Sequence, residues 1–522
     1  MKKRIILAVL MLGLVSQVGQ VLLLREFLMV FQGNELSIGI ILAAWMFWVG
    51  FGSFLGGFLA NRWGSPIKFL KVTAASMLLV FPVVLLLIRN LRHFFDILPG
   101  AYLSLLDITV ACFLTMSLPC LFLGIQFVLL AQIWRQKSMA SDTLSAGKTY
   151  AGEAAGNMIG GILFTFFMVR YLSPLQSAFI IVVLIFIAFM FIEPPQNNFQ
   201  KFRFFWLILP IFFVLIFPYL KNIDNWAYQA QWKAFKPHYN LVGITHSKHG
   251  TISLAEREGQ YSFFQSGHLI FSTAGPETLT SELEEQDAVT FAHFSMLQHK
   301  NPRRILLLGG GLRGTLSEIV KYPLKSIDYI ELDEALTEKA TPYVSQKTLD
   351  ALSDRRLKIK HTDGRLFLRT TKEKYDMIIV DIPDPATAVL NRYYTKEFFR
   401  QAKETLSSGG VLVFGATSTP DLRGKAIANR NTAIYHSLRD VFRYVLVGGE
   451  RFMFFLASDE PGQIMVDDRL LAERFNEYNL ETTTFLAQHF RTLLPESQLR
   501  RLNWIVRNHG RKPMAHIQGP RP

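Results

Sequence analysis

Nearly every long apolar run of this chain lies before about residue 220, and most of its charge lies after it. That segregation predicts a membrane part followed by a soluble part, within a length that leaves room for two or three domains. Stretches long enough to cross a bilayer, which takes roughly 20 residues, occur at 5–31, 37–60, 69–88, 101–133, 150–169 and 174–193. A seventh, 204–220, is shorter and is broken by Pro210 and Pro218. The first follows Met1-Lys2-Lys3-Arg4 and continues to about Phe31 without a small-residue cleavage site, so it reads as an uncleaved span. The expectation is an all-α polytopic membrane domain over 1–220 with six spans and a seventh at 204–220.

Charge placement narrows the function classes. The formal net charge is +14, but many basic residues flank apolar spans, where they set topology and meet lipid headgroups. No nucleic-acid partner is expected; the lipid bilayer is. Basic residues at the N-terminus and in the second (Arg62, Lys68, Lys71), fourth (Arg135, Lys137, Lys148) and sixth (Lys201, Arg203) loops place the N-terminus in the cytoplasm. Seven crossings would then export the soluble half, whereas a re-entrant 204–220 would keep it cytoplasmic. The two cysteines, Cys112 and Cys120, lie inside one apolar stretch, so neither a disulfide framework nor a thiolate metal site follows, and no metal is expected.

Polar residues inside the membrane part are costly and single themselves out: Arg25, Glu26, Glu35, Asp107, Glu153 and Asn157, with Arg25 and Glu153 as a candidate pair. Gly152, Gly156 and Gly160 recur at every fourth position, which lets helices approach closely. The stretch from Gly57 to Gly64 is similar to a cytoplasmic loop of major-facilitator transporters, although a polar turn carrying topology charge explains it as well.

From about residue 236 the apolar period changes from helical to alternating, and short strands separated by His249-Gly250, Glu258-Gly259 and Ser266-Gly267 predict a small antiparallel β domain over 236–275. An acidic helix from Thr280 to about His299 follows. Then Arg304-Ile305-Leu306-Leu307-Leu308 runs into Gly309-Gly310-Gly311-Leu312-Arg313-Gly314, and Ile327-Asp328-Tyr329-Ile330 ends in Glu331 about twenty residues later. A buried strand, a glycine turn, a helix and a second strand ending in an acid make a nucleoside-binding unit, in which the carboxylate takes ribose hydroxyls. Further apolar strands end at Asp363-Gly364 and at Asp381, and another covers 409–414. Alternation of such strands with helices means an α/β domain over 280–460 with a parallel sheet, whose ligands bind beyond the carboxyl ends of the strands. The glycine turn, Glu331, Asp363 and Asp381 all fall there. Asp381-Ile382-Pro383-Asp384-Pro385 adds a second carboxylate on a stiffened loop. The tail, 464–522, reads as helical to about Asn508 and then basic.

This ordered set resembles the spermidine synthase (polyamine aminopropyltransferase) family in its membrane-fused form, over roughly 236–460. The residues that carry the resemblance are Asn301-Pro302-Arg303-Arg304 with Gly309-Gly310-Gly311, Ile330-Glu331-Leu332-Asp333, Thr362-Asp363-Gly364, Asp381 to Pro385, and Tyr393-Tyr394-Thr395-Lys396-Glu397-Phe398-Phe399. The resemblance implies a methyltransferase-like Rossmann domain behind a small β domain, and transfer of an aminopropyl group from decarboxylated S-adenosylmethionine to a polyamine such as putrescine. It also implies roles for residues. Gly309, Gly310, Gly311, Glu331, Asp363 and Gly364 would hold the cofactor, Glu331 at the ribose and Asp363 at the adenine; Arg313 joins them on its own chemistry, outside the family pattern. Asp381 would act on the attacking amine, while Asp384 and Tyr394 would bind the substrate. A homodimer and a cytoplasmic catalytic domain are implied as well.

The chain departs from the family pattern where an Asp usually follows the glycines; here Leu312-Arg313 stands. The Tyr-His pair and the glutamine of the family's amine clamp align with about Gln286-Asp287 and with Ile270 or Phe271. A guanidinium at 313 suits a donor that keeps its carboxylate, so intact S-adenosylmethionine with methyl or aminocarboxypropyl transfer is carried as an alternative. A transporter or sensor that binds a polyamine or nucleoside without turnover is another.

Overall fold

A computed structural model of the protein describes residues 2–62, 65–137, 145–192, 211, 214–274, 286–418, 422, 424–449, 452–482 and 485–508. The chain divides into two compact units, Met1–Ser253 with Gln265–His268, and Leu254–Phe264 with Leu269–Pro522.

In the first unit five helices are long and apolar enough to cross a membrane: Lys3–Val30, Glu35–Leu59, Pro66–Arg89, Leu105–Gln136 and Ala146–Tyr171. Large apolar side chains lie both inside and outside them. Phe27, Phe81, Phe186 and Phe189 are fully buried, while Met46, Phe54, Leu79, Leu114 and Phe166 are at least 68% exposed. Such outward faces suit hydrocarbon, since water would penalise so much contiguous apolar area. The sixth expected span differs. It is a 17-residue helix, Pro174–Met190, about 26 Å long at 1.5 Å per residue, at the lower end of the lengths that cross a bilayer. Most of the expected seventh stretch, and Trp63-Gly64 of the transporter-like loop, lie outside the described residues.

The glycine seam packs the helix Ser145–Leu163 on the first helix. A Cβ on Gly156 would stand 2.1 Å from the Leu10 carbonyl oxygen, so only glycine permits that approach. The bundle's buried ion cluster is not built on Arg25, whose guanidinium donates to the Ser247 carbonyl at 3.0 Å. It is built on Arg89, which is 0% exposed. Arg89 Nε lies 2.7 Å from Glu26, and Nη1 lies 2.6 Å from Asp224. Tyr228 donates to Glu26 at 2.7 Å, and its ring sits 3.8 Å beneath the guanidinium. Each charge is thus paired and hydrogen-bonded, which burial demands.

The strands β1 (Asn240–Ser247), β2 (Gly250–Arg257), β3 (Gln260–Gln265) and β4 (His268–Ala274) form a sheet in sequence order. Two-residue turns at Lys248-His249, Glu258-Gly259 and Ser266-Gly267 leave only antiparallel pairing.

The second unit centres on a seven-stranded sheet. Its strands are β5 (Arg304–Leu308), β6 (Ser326–Glu331), β7 (Leu357–His361), β8 (Tyr375–Val380), β9 (Leu406–Thr417), β10 (Tyr444–Gly448) and β11 (Phe452–Ser458), ordered β10-β11-β9-β8-β5-β6-β7. From β7 through β9 the pairing is parallel, and β11 runs antiparallel to both β9 and β10. Burial on both faces explains why β5 after Arg304 and β8 after Asp376 are continuously apolar. Leu306, Leu308, Ile378 and Val380 face one core with the helices Lys396–Thr405 and Lys425–Arg439. Ile305, Leu307, Met377 and Ile379 face the other with the helices Gln286–Met296 and Thr315–Ile319. Both faces are covered, as a Rossmann-like α/β sheet requires. The tail's helices belong to this unit. Val506 is fully buried in its core, and Asn503 donates to the Val447 carbonyl at 2.9 Å.

Candidate active site

The strand order reverses between β5 and its neighbours β6 and β8, which opens a crevice beyond their carboxyl ends. Each sequence-predicted acid follows one of these strands or their neighbour β7.

The glycine turn leaves β5 at Leu308 and passes through a 3-10 turn, Gly311–Arg313, before the helix Thr315–Ile319. Gly310 has φ +70, and a Cβ there would stand 2.0 Å from Asp381 Oδ2. The turn therefore closes directly over the carboxylate at the end of β8. Asp381 is 6% exposed; its Oδ2 accepts from Thr315 Oγ1 at 2.5 Å and lies 3.2 Å from Arg313 Nε. Its own amide donates to the Leu308 carbonyl at 2.9 Å, which locks the two strand ends together.

Glu331 ends β6. Its Oε2 accepts from the Tyr329 hydroxyl at 2.9 Å and its Oε1 from the Leu332 amide at 2.8 Å. Burial pushes its carboxyl above the usual range, and those two donors oppose the shift. Asp363 caps the helix Gly364–Thr370, its Oδ1 accepting from the amides of Arg365 at 2.8 Å and Leu366 at 3.2 Å. Its Oδ2 pairs with Arg392 Nη2 at 2.5 Å. Gly364 donates its amide to the Tyr393 hydroxyl at 3.3 Å.

The loop after β8 is braced from below. Tyr394 is buried, and its hydroxyl reaches the Pro383 carbonyl at 3.2 Å and the Ile382 carbonyl at 3.4 Å. Asp384 accepts from the Thr417 amide at 2.9 Å through Oδ1 and from Arg430 Nη1 at 2.8 Å through Oδ2.

The fold thus gathers the glycine turn, Arg313, Glu331, Asp363, Gly364, Asp381 and Asp384 around the strand ends, with Tyr394 under the loop. Sequence reasoning missed Thr315, Arg392 and Arg430. Arg392 adjoins the Tyr393-Tyr394 pair and could have been noticed there. Arg430 stands 46 residues from Asp384, and no local pattern links them.

The arrangement sets a turn whose backbone a ligand can approach closely beside a buried carboxylate that can accept a hydrogen bond or a proton.

Residues 285–447 match the family model of the spermine/spermidine synthase domain. The chain is 27% identical over 278 residues to the polyamine aminopropyltransferase of Oceanobacillus iheyensis, covering 52% of each protein. It is 30% identical over 219 residues to that of Korarchaeum cryptofilum, covering 40% of this chain and 64% of the relative. It thus spans between half and two thirds of the length of these curated relatives. Among solved structures, spermidine synthase from Thermotoga maritima is 20% identical with a TM-score of 0.39, over 50% of this chain and 87% of the other.

Proposed function

Proceeding from the spermine/spermidine synthase domain at 285–447, we propose that this chain is a membrane-anchored transferase that moves an aminopropyl group from decarboxylated S-adenosylmethionine to an amine. Putrescine is the acceptor that the family resemblance implies. The observation that carries the reading is the closure of the glycine turn on Asp381, since it joins an adenosyl cradle to a carboxylate in one crevice. Glu331 takes the ribose, Asp363 the adenine side, and Asp381 orients the attacking amine and accepts its proton. Arg313 and Thr315 hold Asp381 in place. The five apolar helices support placement of that part of the chain in a membrane, and the cytoplasmic side is proposed for the transferase unit because a sulfonium nucleoside donor is made there.

Release of methylthioadenosine from the decarboxylated donor in the presence of an amine tests this. Asp381→Asn keeps the shape and removes the base, and turnover should fall about 10²–10⁴-fold with donor binding retained. Donor binding without release for any amine would leave only a binding module or sensor.

One observation favours a second reading for the donor. Arg313 lies 25% exposed beside the turn, where its guanidinium could receive the carboxylate of intact S-adenosylmethionine. The product would then be a methylated or aminocarboxypropylated amine.

A further inference from the structure

Each of the three aspartates of the crevice is paired with an arginine of the chain itself: Asp381 with Arg313, Asp363 with Arg392 and Asp384 with Arg430. Glu331, the remaining sequence-predicted acid, is held by the Tyr329 hydroxyl and the Leu332 amide. A decarboxylated sulfonium donor brings two positive charges, one on the sulfur and one on the nitrogen of its aminopropyl group. A diamine acceptor brings another cation that persists, because one nitrogen loses its proton to attack and the other stays an ammonium. Among these acids none is left to receive it.

The Asp384 position is the most completely closed. Both of its oxygens are occupied by partners at 2.8 and 2.9 Å, and Arg430 is only 14% exposed. Arg430 is anchored further, through Nη2 on the Thr417 carbonyl and through Nε on Asn431 Oδ1 at 3.0 Å. An ammonium would have to displace a planar donor held at three points, which a mobile point charge does poorly.

We infer that Arg430 sets acceptor specificity: its guanidinium fills the place that the distal ammonium of a diamine would take at Asp384, so the acceptor is an amine with one cationic nitrogen and a neutral or anionic far end. This rests on the transfer reading above, and binding measurements separate the two. The full-length protein in detergent, saturated with methylthioadenosine, is titrated calorimetrically with putrescine, butylamine and 4-aminobutyrate. Wild type should bind butylamine or 4-aminobutyrate at least tenfold more tightly than putrescine. Arg430→Gln should reverse that order, and Arg430→Lys, which keeps the charge, should preserve it. Putrescine binding as tightly as butylamine in wild type, the same order in Arg430→Gln as in wild type, or no binding of any of the three would overturn the inference. Turnover is followed separately. Its absence, with the binding order as stated, would remove the transfer reading and leave the specificity of the pocket standing.

Discussion

A Cβ on Gly310 would stand 2.0 Å from the carboxylate oxygen of Asp381. The glycine turn and the acid after β8, 71 positions apart in sequence, are therefore one structural object. Gly310→Ala must either push Asp381 away or rearrange the turn, and φ +70 adds about 1–3 kcal/mol of strain. Methylthioadenosine affinity, measured by calorimetry, should fall about tenfold or more. Gly39→Ala, in a helix position where a Cβ meets nothing within 4 Å, is the control. Unchanged affinity in Gly310→Ala would mean that the adenosyl group does not sit on this turn.

Arg313 is expected to select the donor. In Arg313→Gln, affinity for intact S-adenosylmethionine should drop by about tenfold while the decarboxylated form binds as before. Equal losses for both donors would show that Arg313 only holds Asp381 in place.

Arg89 neutralises two buried carboxylates at once, so its replacement leaves both Glu26 and Asp224 without their shared cation. Arg89→Leu should cost about 3–5 kcal/mol. Thermal unfolding of the detergent-solubilised protein would register this as a large fall in Tm; a shift of a degree or less would contradict the account.

A pH effect follows from His293, which is fully buried with Nδ1 2.9 Å from the Tyr322 hydroxyl and Nε2 2.9 Å from Glu318. Burial holds its pKa below the ordinary histidine value, outweighing the pull of Glu318. The unfolded chain therefore binds a proton that the folded one refuses. Stability from this group is complete above about pH 6.5 and is lost as pH falls from there toward the lowered folded value. Chemical denaturation midpoints should decline below that pH, and His293→Gln should lose this component of the decline. Superimposable pH profiles would dismiss it.

The α/β fold was legible because its signals are local. Apolar runs of strand length ending in acids mark the βα steps, a glycine turn marks the first, and the continuous apolar character of β5 and β8 follows from burial on both faces. Turn chemistry did the same for β1 to β4. The apolar helices were legible from length and composition, the sixth being shorter than the other five.

Sequence alone therefore determined which segments are apolar helices, where the parallel strands end, and that Glu331, Asp363, Asp381 and Asp384 lie at those ends. Tertiary structure decided what each of these acids is bonded to. Arg430 reaches Asp384 from a helix 46 residues away, and Arg89 reaches Asp224 across 135. A carboxylate's position along a strand follows from backbone periodicity, which is written in its neighbours. Its partner comes from whichever helix packing brings alongside, and that depends on the whole chain.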